Sequence, residues 1–368
     1  MDITIKKEDL LRELQYVQGV VERKTTVPIL SNLLLETAGN SLVITATDLD
    51  VTLRCGCQAN IRVSGAATVS ARKLFDIVRL LPDSDIHFKA STSDWINLTC
   101  ERSRFKVAGL SKENFPDIPS VEGKTVTLPA GPLRYMITRS IYAITQEESR
   151  YTLNGALLIV NPGTITLVTT DGHRLVLISH NCDVPGIEGE TRVLVPKKTL
   201  VELSKLASGD VLSVEFGNTE NHLFFKVGER LLVSRILTGQ FPNYEMVIPR
   251  ENHRELVVST LLFGDALKRA AVMADEQSRA VRFSMQENQI EISSASSDFG
   301  EAKETLEAKY SSEAMEIGFN AQYLIDFLQN ADSEEVVVSL RDKETQGLMK
   351  PKGLGDYDYY YVVMPMKI

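Results

Sequence analysis

The chain is poor in the residues that most often carry chemistry. One tryptophan, four cysteines and five histidines are spread over 368 residues. The cysteines, Cys55, Cys57, Cys100 and Cys182, are too few and too unevenly spaced for a disulfide framework. "CGC" has no second cysteine pair or histidine cluster to complete a tetrahedral metal site. They read as reduced structural thiols, with Cys55 and Cys57 on the same face of a strand, and no metal or other cofactor is expected. Long apolar runs are also missing: "GALLIV", "LFF" and "YYYVVM" fall far short of the roughly 18 residues a membrane helix needs. "MDITIKKEDLL" lacks the apolar core of a signal peptide, so the expected location is the cytoplasm, with no membrane partner. Basic charge is in deficit as well, with a net charge of −9. That argues against a protein that grips nucleic acid over its whole surface, because such affinity comes from neutralising phosphates. What is present is ordinary core material, 43% hydrophobic and 24% charged, enough for two or three domains.

The dominant positive feature is self-similarity. "LVITATDLDVTL" (42–53) returns as "ITLVTTDGHRLVL" (165–177) and more faintly as "IEISSASSDFGEA" (290–302), with Asp48 and Asp171 123 positions apart. A second series, "NFPDIP", "QFPNYEMVIP" and "YVVMPMKI", keeps nearly the same period: Phe115 and Phe241 differ by 126, Pro242 and Pro365 by 123. A third, "VSARKLFDIVRLLP", "VPKKTLVELSKLA" and "FNAQYLIDFLQNA", places Leu74, Leu200 and Leu324 at intervals of 126 and 124. Each member of the third series has apolar residues at helical spacing, and each has a start signal: Ser70 and Asn320 as N-caps, Pro196 at the first helical position. Three units of about 124 residues fill the chain.

Within a unit the order reads strand, helix (Glu8 to Val21 in the first), hairpin strands, second helix, further strands. Turn signals such as "AGN", "NPG" and "FGN" separate the short β-rich runs. The fold class is therefore α+β, two helices on antiparallel sheet, repeated three times. Boundaries fall in the polar stretches "PSVEGKT" and "PRENHRE", giving 1–121, 122–250 and 251–368.

"TTDGHRL" looks catalytic, since Asp171, His173 and Arg174 share four positions. Yet the chain has no GxSxG elbow, no HExxH and no P-loop, and His87, His180, His222 and His253 show no ligand spacing. The counterpart "TATDLDVTL" keeps the aspartate and loses the histidine. Asp171 then reads as a turn residue bonded to nearby backbone, and the chain as no enzyme. Cations, by contrast, recur where they are not expected. Arg72, Lys73, Lys197 and Lys198 lie in the first turn of their helices, where the helix dipole disfavours them, while Gln322 stands at the third equivalent place. A phosphate at those helix starts would compensate. Arg12, Arg134, Arg139, Lys268 and Arg269 on the first helices, with Lys24, would extend one basic surface.

Over essentially its full length the chain resembles the bacterial DNA polymerase III beta subunit family of sliding clamps. The resemblance rests on "TVPILSNLLLETAGNSLVITATDLD", "SARKLFDIVRLLP", "RYTLNGALL", "TTDGHRL", "VPKKTLVEL", "FPNYEMVIP", "MEIGFN" and "YVVMPMKI". It implies a clamp fold: a head-to-tail homodimer whose six domains close a ring, helices lining the hole, duplex DNA threaded through without sequence preference. A topological link needs only a weak phosphate-facing surface, which reconciles DNA with net acidity.

The implied DNA contacts are Lys24, Arg72, Lys73, Tyr151, Lys197 and Lys198. Thr152 stands where some relatives have a second aromatic residue. The implied interface sets Phe105 and Val107 against Val272 and Met273, with Glu301 and Glu304 available to Lys73. The implied partners are the replicative polymerase alpha subunit, the clamp loader and other proteins with clamp-binding linear motifs. These would dock in a groove of Leu153, Thr170, Gly172, His173, Arg174, Leu175, Pro242, Met246, Val247, Val362, Met364, Pro365 and Met366. Adaptable methionines and apolar walls suit such a groove, with His173 and Arg174 offering polar contacts at its rim. The tract 343–361 differs from the family pattern, with Leu348 one groove candidate. The competing reading is a non-ring repeat scaffold that binds proteins only.

Overall fold

Alternating burial along the strands and three- to four-residue spacing along the helices divide the chain as its hydrophobic pattern requires. The computed structural model describes residues 1–22, 26–90, 94–119, 123–145, 147–297 and 300–367. The first third runs β1 (Asp2–Lys6), α1 (Lys7–Val17), β2 (Asn32–Ala38), β3 (Ser41–Thr47), β4 (Val51–Gln58), β5 (Asn60–Val63), β6 (Ala66–Ser70), α2 (Ala71–Leu80), β7 (Asp85–Ala90), β8 (Trp95–Cys100) and β9 (Ser103–Ala108). The middle third repeats the order with β10 (Val126–Pro129), α3 (Ala130–Ser140), β11 (Gly155–Asn161), β12 (Thr164–Thr170), β13 (Arg174–Asn181), β14 (Thr191–Pro196), α4 (Lys197–Leu206), β15 (Ser213–Asn218), β16 (His222–Val227) and β17 (Arg230–Arg235). The last third does so again: β18 (Arg254–Ser259), α5 (Thr260–Ala271), β19 (Ala280–Gln286), β20 (Gln289–Ser296), β21 (Gly300–Glu307), β22 (Met315–Asn320), α6 (Ala321–Asn330), β23 (Glu335–Leu340), β24 (Gly347–Pro351) and β25 (Tyr357–Val363). Each third thus holds two α-helices among antiparallel strands.

Spatially the backbone forms two compact units, Met1–Arg134 with Lys198–Ile236, and Tyr135–Lys197 with Leu237–Ile368. The first contains a five-stranded sheet, β5-β1-β7-β8-β9, and an eight-stranded sheet, β10-β15-β16-β17-β4-β3-β2-β6. The second contains an eight-stranded sheet in the matching order, β14-β11-β12-β13-β25-β24-β23-β18 read from the opposite end, and a four-stranded sheet, β21-β20-β19-β22. The seams differ in length. In the first unit β4 pairs β17 over Val51–Arg54, whereas in the second β13 pairs β25 over Arg174–His180.

The helices obey the periodic reading. Leu74, Leu200 and Leu324 are all buried, as are Leu203 and Leu206 on α4. Their ends correct it in three places. The first helix stops at Val17 rather than Val21, because Gly19 follows and the Gln18 side chain leaves to donate to the Ala71 carbonyl. Pro196 ends β14 and precedes the first helical residue instead of occupying it. Ser70 stands at the N-cap of α2 without a side-chain cap bond, while Asn320 caps α6 by accepting from the Gln322 and Tyr323 N–H groups. Cys55 and Cys57 lie on the buried face of β4; all four cysteines are free. No described helix is long and apolar enough to cross a membrane.

Candidate functional site

The turn after β12 is held largely by its own side chains, with Arg150 donating to the Asp171 carbonyl at 2.6 Å. Asp171 Oδ1 accepts from the backbone N–H groups of His173 and Arg174, both at 3.0 Å. Thr170 Oγ1 accepts from the Gly172 N–H at 3.1 Å and donates to the Arg174 carbonyl at 2.6 Å. Gly172 takes φ +90°, a conformation that favours glycine. The buried threonine hydroxyl is thus engaged inside the turn.

Arg174 ties the turn to more distant residues. Its side chain is only 9% exposed and points inward. It donates to Asp171 Oδ2 at 3.0 Å, to Asp326 Oδ2 on α6 at 2.6 Å and to the Tyr142 carbonyl at 2.8 Å. Its guanidinium also stacks over the rings of Tyr323 and Tyr142. Burial would lower its pKa, but Tyr361, Asp326 and Asp171 outweigh that and hold it above the ordinary arginine value. A guanidinium bonded through each of its three nitrogens anchors the turn to α6. Asp171 in turn spends one oxygen on backbone and the other on Arg174, so it orients no histidine for acid–base work.

His173 stays exposed, its ring stacked on Tyr323 with centroids 6.4 Å apart. Beside it, Leu175 and Val362 are buried in a cluster that includes Leu157, Leu194, Tyr244 and Leu348, against which Val247 and Phe241 pack with part of their surface open. The Met364 N–H donates to the His173 carbonyl at 2.9 Å, laying the last residues over the turn. Met246 is 81% exposed. Pro242 lines a cavity of about 790 Å³ with Leu157, Leu194, Phe241, Tyr244 and Arg192. The chain end then leaves: the Met366 N–H donates to the Gly318 carbonyl of β22, and Pro365 and Met366 line a separate cavity of about 630 Å³ with Arg282, Glu316 and Lys343. Leu153 is buried outside the cluster. The result is a partly apolar surface with an imidazole, a phenol and the Met364 thioether beside it.

Tyr323 and Leu348 are the residues that sequence reasoning missed or could not place. Tyr323 carried a signal: it stands at the Lys73 position of the helix series, where the third unit abandons basic residues for Gln322 and Tyr323. Leu348 carried none, since its neighbours come from β13 and β25.

The basic residues divide. Arg72 is 86% exposed, with Asp76 4.0 Å away, and Lys73 is exposed beside it. Tyr151 is 53% exposed in a 3-10 turn. Lys197 is half-buried and burial, then Arg174, lowers its pKa. Lys198 departs from expectation: it pairs with the nearly buried Asp48 and donates to the Val20 carbonyl, so its charge is already answered. The first-helix cations are likewise paired, Arg12 with Asp9, Arg139 with Asp332, Lys268 with Asp265 and Arg269 with Glu304. Most of the expected cations thus have an acidic partner, and Arg72 and Lys73 stay exposed. Lys24 lies outside the described residues.

Phe105, 38% exposed, and Val107 lie on β9, an outer strand of its sheet. Val272, 73% exposed, follows α5 with the half-buried Met273, while Glu301 and Glu304 lie on β21, also an outer strand. Glu304 accepts two bonds from Arg269, at 3.0 and 2.7 Å, and Glu301 is exposed. Among the described residues no group of three or more histidine, cysteine or acidic side chains could hold a metal.

Three family models match the chain in order: DNA polymerase III beta subunit, N-terminal domain over 1–119, central domain over 127–243 and C-terminal domain over 245–367. A beta sliding clamp of Pseudomonas putida is 36% identical over 371 residues, covering 100% of both chains. The crystal structure of DNA polymerase III subunit beta from Pseudomonas aeruginosa matches with a TM-score of 0.94 at 35% identity, again over 100% of each chain. A sliding clamp from Bartonella birtlesii, crystallised with griselimycin bound, matches with a TM-score of 0.95 at 33% identity over 100% of each.

Proposed function

The chain belongs to the DNA polymerase III beta subunit family and is a non-catalytic DNA sliding clamp, and on that basis we propose that it acts as a head-to-tail homodimeric ring around duplex DNA. The observation that carries this reading is the ordered, full-length match of all three domains. In the ring, β9 of one protomer would meet β21 of its partner. Both are outer strands whose backbone edge invites pairing. Arg104 and Lys106 on β9 suit Glu301 and Glu307 on β21. Phe105, Val107, Val272 and Met273 would supply the apolar part that a closed interface must bury.

Arg72, Lys73, Lys197 and Tyr151, with Lys24, would meet the phosphate backbone lightly, leaving Lys198 a structural role. His173, Tyr323, Leu175, Val247, Val362, Met246 and Met364 would receive the linear motifs of the replicative polymerase alpha subunit and the clamp loader. The full chain should then have a solution mass near twice 40.9 kDa, measured by sedimentation. A monomer at micromolar concentration would contradict the ring and favour a scaffold.

A further inference from the structure

Of the nine methionines, the two that stand exposed among the described residues are Met246, at 81%, and Met364, at 38%. Met136, Met285, Met315 and Met349 are buried, and Met1, Met273 and Met366 are half-buried. Met364 is tied to His173 beside the Leu175–Val362 floor, and Met246 closes the 3-10 turn whose Tyr244 and following Val247 pack on the same cluster. We propose that Met246 and Met364 form an oxidation-sensitive modification site, at which a peroxide converts the thioethers to sulfoxides and weakens peptide docking. This rests on the groove reading given above.

The chemistry balances without help from the protein. The sulfur lone pair attacks one peroxide oxygen, the S–O bond forms as the O–O bond breaks, sulfur gives up two electrons, and the proton of the attacked oxygen passes to the departing hydroxide, which leaves as water. A thioether has no proton to lose, so it reacts at neutral pH. The thiols do not compete well, because the thiolate is their reactive form. Burial pushes Cys55 and Cys100 up and Cys57 to about 12, and burial also raises Cys182.

The product changes the surface. Methionine packs against varied apolar anchors because it is unbranched and polarisable, whereas its sulfoxide is polar and chiral. A bound apolar residue would strip water from that oxygen without replacing the hydrogen bond. Met364 cannot swing away at its backbone, which is tied to the His173 carbonyl.

The test uses the full chain, graded hydrogen peroxide and griselimycin as the probe. Peptide mapping should find sulfoxide at Met246 and Met364 before Met136 or Met285. Probe affinity should fall about tenfold, and methionine sulfoxide reductases of both epimer specificities should restore it. A Met246→Leu, Met364→Leu double variant, whatever its own affinity, should keep the same affinity before and after treatment. Sulfoxide at both positions with unchanged affinity, equal loss in the double variant, or earlier oxidation of the buried methionines overturns the proposal. Failure of the groove reading has its own signature, untreated protein that binds griselimycin equally well with and without Gly172→Val, and that outcome removes this proposal with it.

Discussion

The turn at Thr47–Val51 and the turn at Thr170–Arg174 are one device used twice. In each, the threonine hydroxyl accepts from the N–H two residues on, Leu49 or Gly172, at 3.1 Å. In each, the aspartate Oδ1 accepts the next two N–H groups, from Asp50 and Val51 or from His173 and Arg174. In each, the central residue is left-handed, at φ +80° or +90°. Even the neighbouring strand attaches alike, Arg235 N–H to the Asp50 carbonyl and Met364 N–H to that of His173.

What differs is what stands on the frame. The first turn carries an exposed leucine and an ion pair, Asp50 with Arg235 at 3.7 Å; the second carries a bare glycine, a stacked imidazole and a thioether. The two turns therefore differ by a few substituents on a shared backbone, and the leucine at a positive φ bears strain of about 1–2 kcal/mol.

Arg174→Met should separate the two turns most. It strands Asp171 and Asp326, whose side chains are 14% and 22% exposed, and should cost about 3 kcal/mol in urea unfolding. Val51 occupies the equivalent place in the first turn without such partners, so a loss under about 1 kcal/mol for Arg174→Met would mean that the anchor is no stronger than a surface pair. Gly172→Val should cost about 1–2 kcal/mol. It should also abolish groove binding, since the new Cβ would lie 2.6 Å from an Arg150 nitrogen that holds the Asp171 carbonyl. Full griselimycin binding by that variant would make the bare turn irrelevant. The smallest effect belongs to Leu49→Gly, where relief of strain offsets glycine's backbone entropy and leaves a net gain below about 1 kcal/mol; a clear loss of stability would show that Leu49 packs usefully.

The repeat, the buried faces of α2, α4 and α6, and Asp171 as a turn residue were readable from one chain because each is a local pattern. The orientation of Arg174 was not, because its partner Asp326 is 152 positions away, and Lys198 finds Asp48 across 150. The strand seams β4–β17 and β13–β25 were hidden for the same reason. They join consecutive thirds of the chain, so the compact units do not follow the repeat. Of the "MPM" segment only Met364 lies at the His173 turn, while Pro365 and Met366 line another cavity, and which side chains face outward was decided by packing.

The ring is tested most directly by loading the protein onto nicked circular duplex and onto the same duplex linearised, then following retention at moderate salt. Topological linkage predicts lasting retention on the circle and rapid loss from the free ends of the linear form. Equal retention on both would contradict it and make the protein a conventional surface binder.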